Sequence, residues 1–140
     1  MRAHIRIHNI CFITLIIVNM IAILLGCSTQ DTIKIIEKES YYSDFVIEGD
    51  KVYIECELTV DNSSGEEVSV EFYADFPHDE KLGLLQNATI KGFQEDKNLS
   101  EFPLQKGKTR LRVVFIGDFA GTNQKHDRNL PDISVVPIEN

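Results

Sequence analysis

The sequence predicts an all-β fold for the part of the chain that follows residue 31, and three observations support this prediction. Residues 52–60 and 68–76 alternate apolar and polar side chains with a period of two, which is typical of half-buried strands. Segments rich in Gly, Asn, Asp and Ser separate the apolar stretches at short intervals. No long window after residue 26 shows the 3.6-residue period of an amphipathic helix.

The first half of this region contains two strong strands. We expect 52–60 and 68–76 to form an antiparallel hairpin, because the turn-forming residues 62–66 lie between them. Pro77 ends the second strand because proline has no N–H to donate to a β-ladder. Weaker apolar marking predicts two earlier strands, within 32–39 and 41–48, followed by a Gly-Asp turn at 49–50.

The second half contains one strong strand and several weaker elements. Leu111, Val113 and Phe115 alternate with polar residues or Val114, so we expect these three side chains to lie in the core. The other expected elements are an irregular or one-turn helical loop at 78–83, a strand within 84–93, a loop at 94–100, an edge segment and turn at 101–108, a long connection at 117–131 and a last strand within 132–139.

Together these elements predict one immunoglobulin-like antiparallel β-sandwich, spanning residues 32–140. Roughly seven or eight short strands suit a sandwich of this size. The chain contains no tryptophan, so the Cys–Trp–Cys hallmark of true immunoglobulin domains is missing and the prediction depends on the strand pattern. A five-stranded OB-type barrel is the alternative.

The N-terminus has the layout of a secretory targeting segment. Arg2 and Arg6 precede an apolar stretch at 10–25, and the first acidic residue is Asp31. The stretch closes in Leu24-Leu25-Gly26-Cys27, with the small Gly26 directly before the cysteine. This motif resembles the lipobox of bacterial lipoproteins.

The resemblance implies that residues 1–26 are a cleaved signal peptide, that the Cys27 sulfur receives a diacylglyceryl group, and that 27–31 form a lipidated tether. Two acyl chains make a stable anchor, whereas one is marginal. The alternative is an uncleaved membrane helix, which usually needs about 20 apolar residues, more than the stretch supplies. Both alternatives place the domain on the extracytoplasmic face of the cell membrane, because the positive segment stays inside.

Charge excludes one class of partner. Removal of residues 1–26 takes away two of the 14 basic residues and none of the 22 acidic ones, which leaves 114 residues with a net charge of −10. Such a domain is repelled by nucleic acid and by anionic lipid surfaces. We therefore expect no nucleic-acid partner.

Cysteine usage excludes a disulfide framework. Cys56 is the one cysteine after Cys27, so the domain has no internal disulfide. Its position on the apolar register of 52–60 predicts a small buried side chain and not a reactive thiol. No spacing of Cys and His suits a zinc site, and we expect no metal and no cofactor.

The most unusual segment of the domain is the polar connection at 121–131. Lys125, His126 and Arg128 form a local basic patch around Asp127 in an otherwise acidic protein. These four residues are the candidate ligand-binding site, because loops at one end of a sandwich often bind and basic groups grip carboxylates or phosphates. The alternative is a solvated connection in which Arg128 and Lys125 pair with nearby acids.

A second polar cluster, His78-Asp79-Glu80, follows the strand at 68–76. With Asp75 it offers the oxygen ligands that Ca²⁺ or Mg²⁺ prefers, although no EF-hand spacing is present and a charged turn is the alternative. His78 and His126 are the only histidines outside the signal segment, and nothing in the sequence brings them together.

No motif supports catalysis. The chain lacks Gly-x-Ser-x-Gly, His-Glu-x-x-His and a phosphate-binding glycine loop, so we expect no enzyme. The sequence therefore predicts a membrane-anchored, non-catalytic binding module for an envelope protein or a small ligand. The alternative is a structural accessory subunit of an envelope complex that acts by edge-strand pairing. A hydrolase, which would need an acid–base pair in a pocket, is the least favoured.

Overall fold

The computed structural model describes residues 32–123 and 127–138, and this part of the chain contains eight strands and one short α-helix. Residues 1–31, on which the targeting and lipidation predictions depend, lie outside the described residues. The elements are β1 (Ile33–Ile35), β2 (Tyr41–Glu48), β3 (Lys51–Asn62), β4 (Val68–Asp75), α1 (Pro77–Lys81), β5 (Thr89–Phe93), β6 (Phe102–Leu104), β7 (Gly107–Asp118) and β8 (Asp132–Pro137).

The strands follow one another around a nearly closed barrel in which every pair is antiparallel. The paired order is β1, β3, β7, β5, β4 and β6, while β2 also pairs with β3 and β8 also pairs with β4. β3 and β7 form the longest ladder, from Lys51 opposite Asp118 to Asn62 opposite Gly107. The prediction of an all-β, antiparallel fold is confirmed.

β1 and β2 lie end to end along the same edge of β3. One turn of 3₁₀ helix, Glu37–Glu39, separates them. The buried Ser40 joins this break to the sheet, because its hydroxyl donates to the Ile36 carbonyl at 2.9 Å and accepts from the Thr59 N–H at 3.0 Å. A polar residue is therefore tolerated in the interior at this point, since its hydrogen bonds are satisfied.

β5 connects the two halves of the barrel. Its first part pairs with β4, whereas Gly92 and Phe93 pair with β7. A Cβ atom at position 92 would lie 2.5 Å from Val113 Cγ1 and 3.1 Å from Phe115 Cε1. Glycine is required here because the strand passes so close to the inward side chains of β7.

The core fills the inside of the barrel with apolar side chains from both halves. Phe72 contacts Phe102 edge to face with ring centres 5.0 Å apart, and Phe76 contacts Phe115 at 6.0 Å. Cys56 is fully buried, and burial raises the pKa of its thiol to about 12. The prediction that Cys56 is a small buried side chain is confirmed. Its low reactivity stays a prediction.

The predicted hairpin between residues 52–60 and 68–76 is wrong. Both strands exist, but β3 pairs with β1, β2 and β7, whereas β4 pairs with β5, β6 and β8. The connection between them crosses from one side of the barrel to the other. Buried Asn62 fixes this crossing, because its side-chain amide donates to the carbonyls of Glu66 at 2.7 Å and Leu104 at 3.2 Å.

Val114 departs from simple alternation. It points to the outer face of β7, as the sequence predicts, yet only 1% of it is exposed. The loop after β5 folds over this face: Glu95 pairs with Arg112 at 2.9 Å, and the Lys97 ammonium lies 4.0 Å from the centre of the Tyr53 ring. The loop therefore covers an apolar side chain that the pattern alone leaves on the surface.

Candidate functional site

A small cleft lies at the end of the barrel where β4 ends and β8 begins. We call it the distal cleft. Its volume is about 260 Å³, a size that admits a side chain or a small ligand. It is lined by Tyr42, Asp75, Phe76, Pro77, His78, Asp79, Asp127, Arg128, Asn129 and Pro131.

One wall of the distal cleft is built by α1. Pro77 stands at the first helical position, where its missing N–H costs nothing, and the helix ends after five residues. The Asp79 carbonyl accepts hydrogen bonds from the N–H groups of Leu84 at 2.9 Å and Leu85 at 3.3 Å. These bonds hold the helix next to the buried Leu84 and Leu85, and the Asp79 side chain is itself buried.

The opposite wall is the segment 127–131, which we call the strap. Its central feature is Arg128, whose side chain is only 12% exposed. The guanidinium Nη2 donates to Asp79 Oδ1 at 3.2 Å, and the guanidinium carbon lies 3.9 Å from the centre of the Phe45 ring in β2. Arg128 therefore connects the strap to both α1 and β2 through an ion pair and a cation–π contact.

One atom of this arrangement is unsatisfied. The Nε of Arg128 is buried and has no hydrogen-bond acceptor within the described part of the chain. A buried donor without an acceptor is costly, so the ion pair and the aromatic contact must hold the side chain in place against that cost.

Tyr42 responds to the same environment. Burial raises the pKa of its phenol, and the nearby Arg128 guanidinium partly opposes the increase. The phenol therefore remains neutral at physiological pH and presents a hydroxyl and an aromatic ring to the cleft.

The structure describes two of the four predicted ligand-binding residues, and both line the distal cleft. Asp127 is exposed at the rim of the distal cleft, and Arg128 lies in its wall. Lys125 and His126 lie outside the described residues. Arg128 pairs with an acid, as the alternative interpretation expects, but it is buried against Phe45 and not solvated. The charge of Arg128 is thus already paired with Asp79, and its role as a ligand-binding residue stays a prediction.

The structure also brings the second polar cluster into the same cleft. His78 and Asp79 line it together with Asp75. The Asp75 carboxylate accepts the hydroxyl hydrogen of Thr89, and the Asp79 carboxylate faces Arg128. Among the described residues, no three His, Cys, Asp or Glu side chains are placed to hold a metal ion.

The second notable feature is a seam where the barrel does not close. β1 and β8 approach each other, yet no ladder joins them in the part of the chain that the structure describes. Two grooves follow this seam, one of about 390 Å³ beside Leu130 and one of about 400 Å³ beside Val135. The half-buried Ile35 lines both of them and packs against the core.

The alternation of hydrogen-bonded and non-bonded pairs in β1 and β8 shows which backbone groups face the seam. The Ile138 N–H donates to the Ser69 carbonyl at 2.9 Å, and bonded and non-bonded pairs alternate in an antiparallel ladder. The backbone groups of Ile133 and Val135 therefore point away from β4 and toward β1. In β1, the Ile36 N–H donates to the Thr59 carbonyl at 2.8 Å. By the same alternation, the backbone N–H and C=O groups of Ile33 and Ile35 point away from β3 and toward β8.

The free edge of β2 is protected in a different way. A register shift between Tyr42 and Asp44 bulges the strand, and Asp44 Oδ1 accepts the Phe45 N–H at 2.8 Å. The bulge distorts the edge of the strand, and the Asp44 carboxylate accepts a backbone N–H that another strand would otherwise bind. Both features discourage pairing with another strand. The seam is thus the more accessible strand edge of the two.

Sequence reasoning did not find the partners of Arg128. Asp79 was singled out as a possible cation ligand and not as the acid that pairs with Arg128. The sequence marks Phe45 only as an apolar residue of a strand. Its contact with Arg128 could not be predicted, because the two residues are far apart in the chain. The seam was missed because it depends on which strands pair.

Comparison of the chain with protein-family models, with curated proteins and with solved structures found no match. No helix within residues 32–123 and 127–138 is long and apolar enough to cross a bilayer. The described part of the chain is therefore an all-β, barrel-like domain with a small cleft at one end, lined by polar and aromatic side chains.

Proposed function

We propose that this protein is a lipid-anchored bacterial lipoprotein whose single domain is a non-catalytic binding module on the extracytoplasmic face of the membrane. The distal cleft is the binding site in this proposal. The observation that carries it is the position of the cleft, which lies at the end of the barrel opposite the point where the chain enters the domain.

The direction of the strands defines these two ends. Thr32 accepts a hydrogen bond from the Ser63 N–H at 2.8 Å, so the chain enters beside the end of β3. The distal cleft lies beyond Asp75, and the nearby 49–50 turn lies at the start of β3. Twelve residues of extended strand span about 40 Å, which is the length of β3. The part of the cleft lined by Tyr42, which pairs with Cys56, lies at about half that distance from the entry end.

This separation suits an anchored binding module. If Cys27 is lipidated, the chain from Cys27 to Thr32 reaches at most about 18 Å, so the entry end of the domain stays close to the bilayer. The distal cleft then points away from the membrane and toward other molecules of the envelope. In this orientation a binding partner can reach the cleft, whereas in the opposite orientation the membrane would block access to it.

We further propose that the domain is a variant of the immunoglobulin-like sandwich. One layer consists of β1, β2, β3 and β7, the other consists of β4, β6 and β8, and β5 passes from the second layer to the first. The connections at 63–67, 105–106 and 119–131 each cross from one layer to the other, which supports this assignment. The lack of a ladder between β1 and β8 within the described residues also supports it.

Site-specific photo-crosslinking in the native envelope tests the binding site. A photo-reactive amino acid in place of Asp127, at the rim of the cleft, is expected to give a discrete crosslinked product. The same amino acid in place of the exposed Glu66, at the entry end, is the matched control and is expected to give none. Equal products at both positions, or none at position 127, would contradict the proposed cleft.

A second function, edge-strand pairing within an envelope complex, is favoured by the outward backbone groups of Ile33, Ile35, Ile133 and Val135 at the seam. It predicts a different crosslinking result. A photo-reactive residue in place of the exposed Ser134, within β8, would then give the product, and the residue at position 127 would not.

A further inference from the structure

Within residues 32–123 and 127–138, β8 pairs with another strand on one side only. It pairs with β4 from Asp132 opposite Asp75 to Pro137 opposite Val70, and its other edge faces the unpaired seam. β3, by contrast, is paired along both edges. Regions with fewer hydrogen bonds and a partly exposed apolar face open more easily than central strands. The stability of β8 therefore depends more than that of β3 on side-chain contacts outside its ladder.

Arg128 supplies such a contact just ahead of β8. Its guanidinium lies on the Phe45 ring of β2 and pairs with Asp79 of α1, so it bridges elements on the two sides of the seam. Three residues lie between Arg128 and Asp132, the first residue of β8. The strap between them carries Leu130, which packs against the core.

We propose that Arg128 is a positioning residue that clasps the strap and β8 to the barrel, and that these two segments open together as one local unit when the clasp is released. The rest of the barrel, built around the β3–β7 ladder, stays folded during this opening. Because the strap forms one wall of the distal cleft, the opening removes that wall and uncovers the edge of β4. The clasp belongs to the folded domain and does not depend on the lipid anchor.

Hydrogen exchange measured by mass spectrometry on the full chain in detergent micelles tests this proposal. Arg128→Lys keeps the charge beside Asp79 but loses the planar group that stacks on Phe45. Phe45→Leu keeps an apolar side chain but loses the ring face. In both variants, peptides from 127–138 are expected to exchange roughly tenfold faster. Peptides from β3 and β7, which exchange through global unfolding, are expected to accelerate by no more than this factor and to remain far slower than 127–138.

The matched control is Arg112→Lys. Arg112 is also paired with acids, Glu57 at 2.8 Å and Glu95 at 2.9 Å, but it lies on the outer face of β7 away from the seam. Its replacement is expected to leave exchange in 127–138 unchanged. Wild-type exchange in 127–138 for Arg128→Lys, or exchange of 127–138 as slow as that of β3 and β7, would overturn the proposal and reduce Arg128 to a general contributor to stability.

Hydrogen exchange of the wild-type protein provides a second test, which does not depend on whether a variant folds. At low denaturant concentrations, the amides of 127–138 are expected to exchange through an opening that depends less on denaturant than the opening of β3 and β7. The same opening free energy and the same denaturant dependence in all three strands would show that no local unit exists.

Discussion

Val113→Asp is expected to unfold the domain. Val113 is fully buried in the middle of β7, opposite Cys56, and its Cγ1 lies against the backbone of Gly92. An aspartate there would bury a carboxylate without a partner, at a cost of several kcal/mol. This cost is comparable with the about 5–15 kcal/mol that stabilises a typical domain. Circular dichroism should show loss of the β-sheet signal.

The buried Cys56 gives an independent readout of the same change. In the wild-type protein its thiol should resist alkylation at neutral pH, since it is fully buried and burial raises its pKa to about 12. In Val113→Asp the peptide that contains Cys56 should be alkylated rapidly. Val46→Asp, on the exposed side of β2, is the matched control and should change the free energy of unfolding by no more than about 1 kcal/mol. An equally stable Val113→Asp domain would show that the register of β7 is wrong.

Arg128→Met is expected to lower the free energy of unfolding by about 3 kcal/mol, because it removes one partner of a buried ion pair and leaves the Asp79 carboxylate inside the protein. Methionine keeps a side chain of similar length over Phe45, so the loss reports mainly on charge. Denaturant titration followed by fluorescence or circular dichroism measures the change.

The double variant with Asp79→Asn separates the ion pair from other effects. If the two side chains interact as the structure shows, Arg128→Met should cost less in the Asp79→Asn background than in the wild type, by about 1 kcal/mol or more. Strictly additive effects would mean that Arg128 and Asp79 contribute to stability independently, and the clasp would lose its central contact.

The existence of the strands could be predicted from the sequence because alternation is a local property. The strong alternation of 52–60 and 109–115 corresponds to β3 and β7, and the one-turn helical loop expected after Pro77 is α1. A connection between β7 and β8 is also predicted, but it begins at residue 119, because Gly117 and Asp118 belong to β7. In each case the side chains within a few residues decide the outcome.

The pairing of the strands could not be predicted from the same pattern. The turn after β3 has the composition of a hairpin turn, but the buried Asn62 amide binds carbonyls near β6 and turns the chain across the barrel. Val114 illustrates the same limit, because a loop that follows another strand covers it. Both features depend on contacts between residues far apart in the sequence.

The candidate site shows that charge in the sequence does not indicate whether a side chain is exposed. The polar composition of 121–131 drew attention to Arg128, but its basic charge suggested an exposed group for binding anions. The structure places Arg128 in the wall of the cleft, paired with Asp79 and stacked on Phe45. The remaining candidate at the rim is Asp127, whose role as a ligand-binding residue stays a prediction.

The proposed function depends most directly on the chemistry of Cys27, and mass spectrometry of the protein isolated from the membranes of its native host measures it. We predict an N-terminal peptide that begins at Cys27 and carries a diacylglyceryl group on the sulfur, with no peptide from 1–26. Cys27→Ala should accumulate as an unprocessed chain without lipid, whereas Cys11→Ala should be processed normally. An unmodified Cys27 in the native membrane protein would contradict the account.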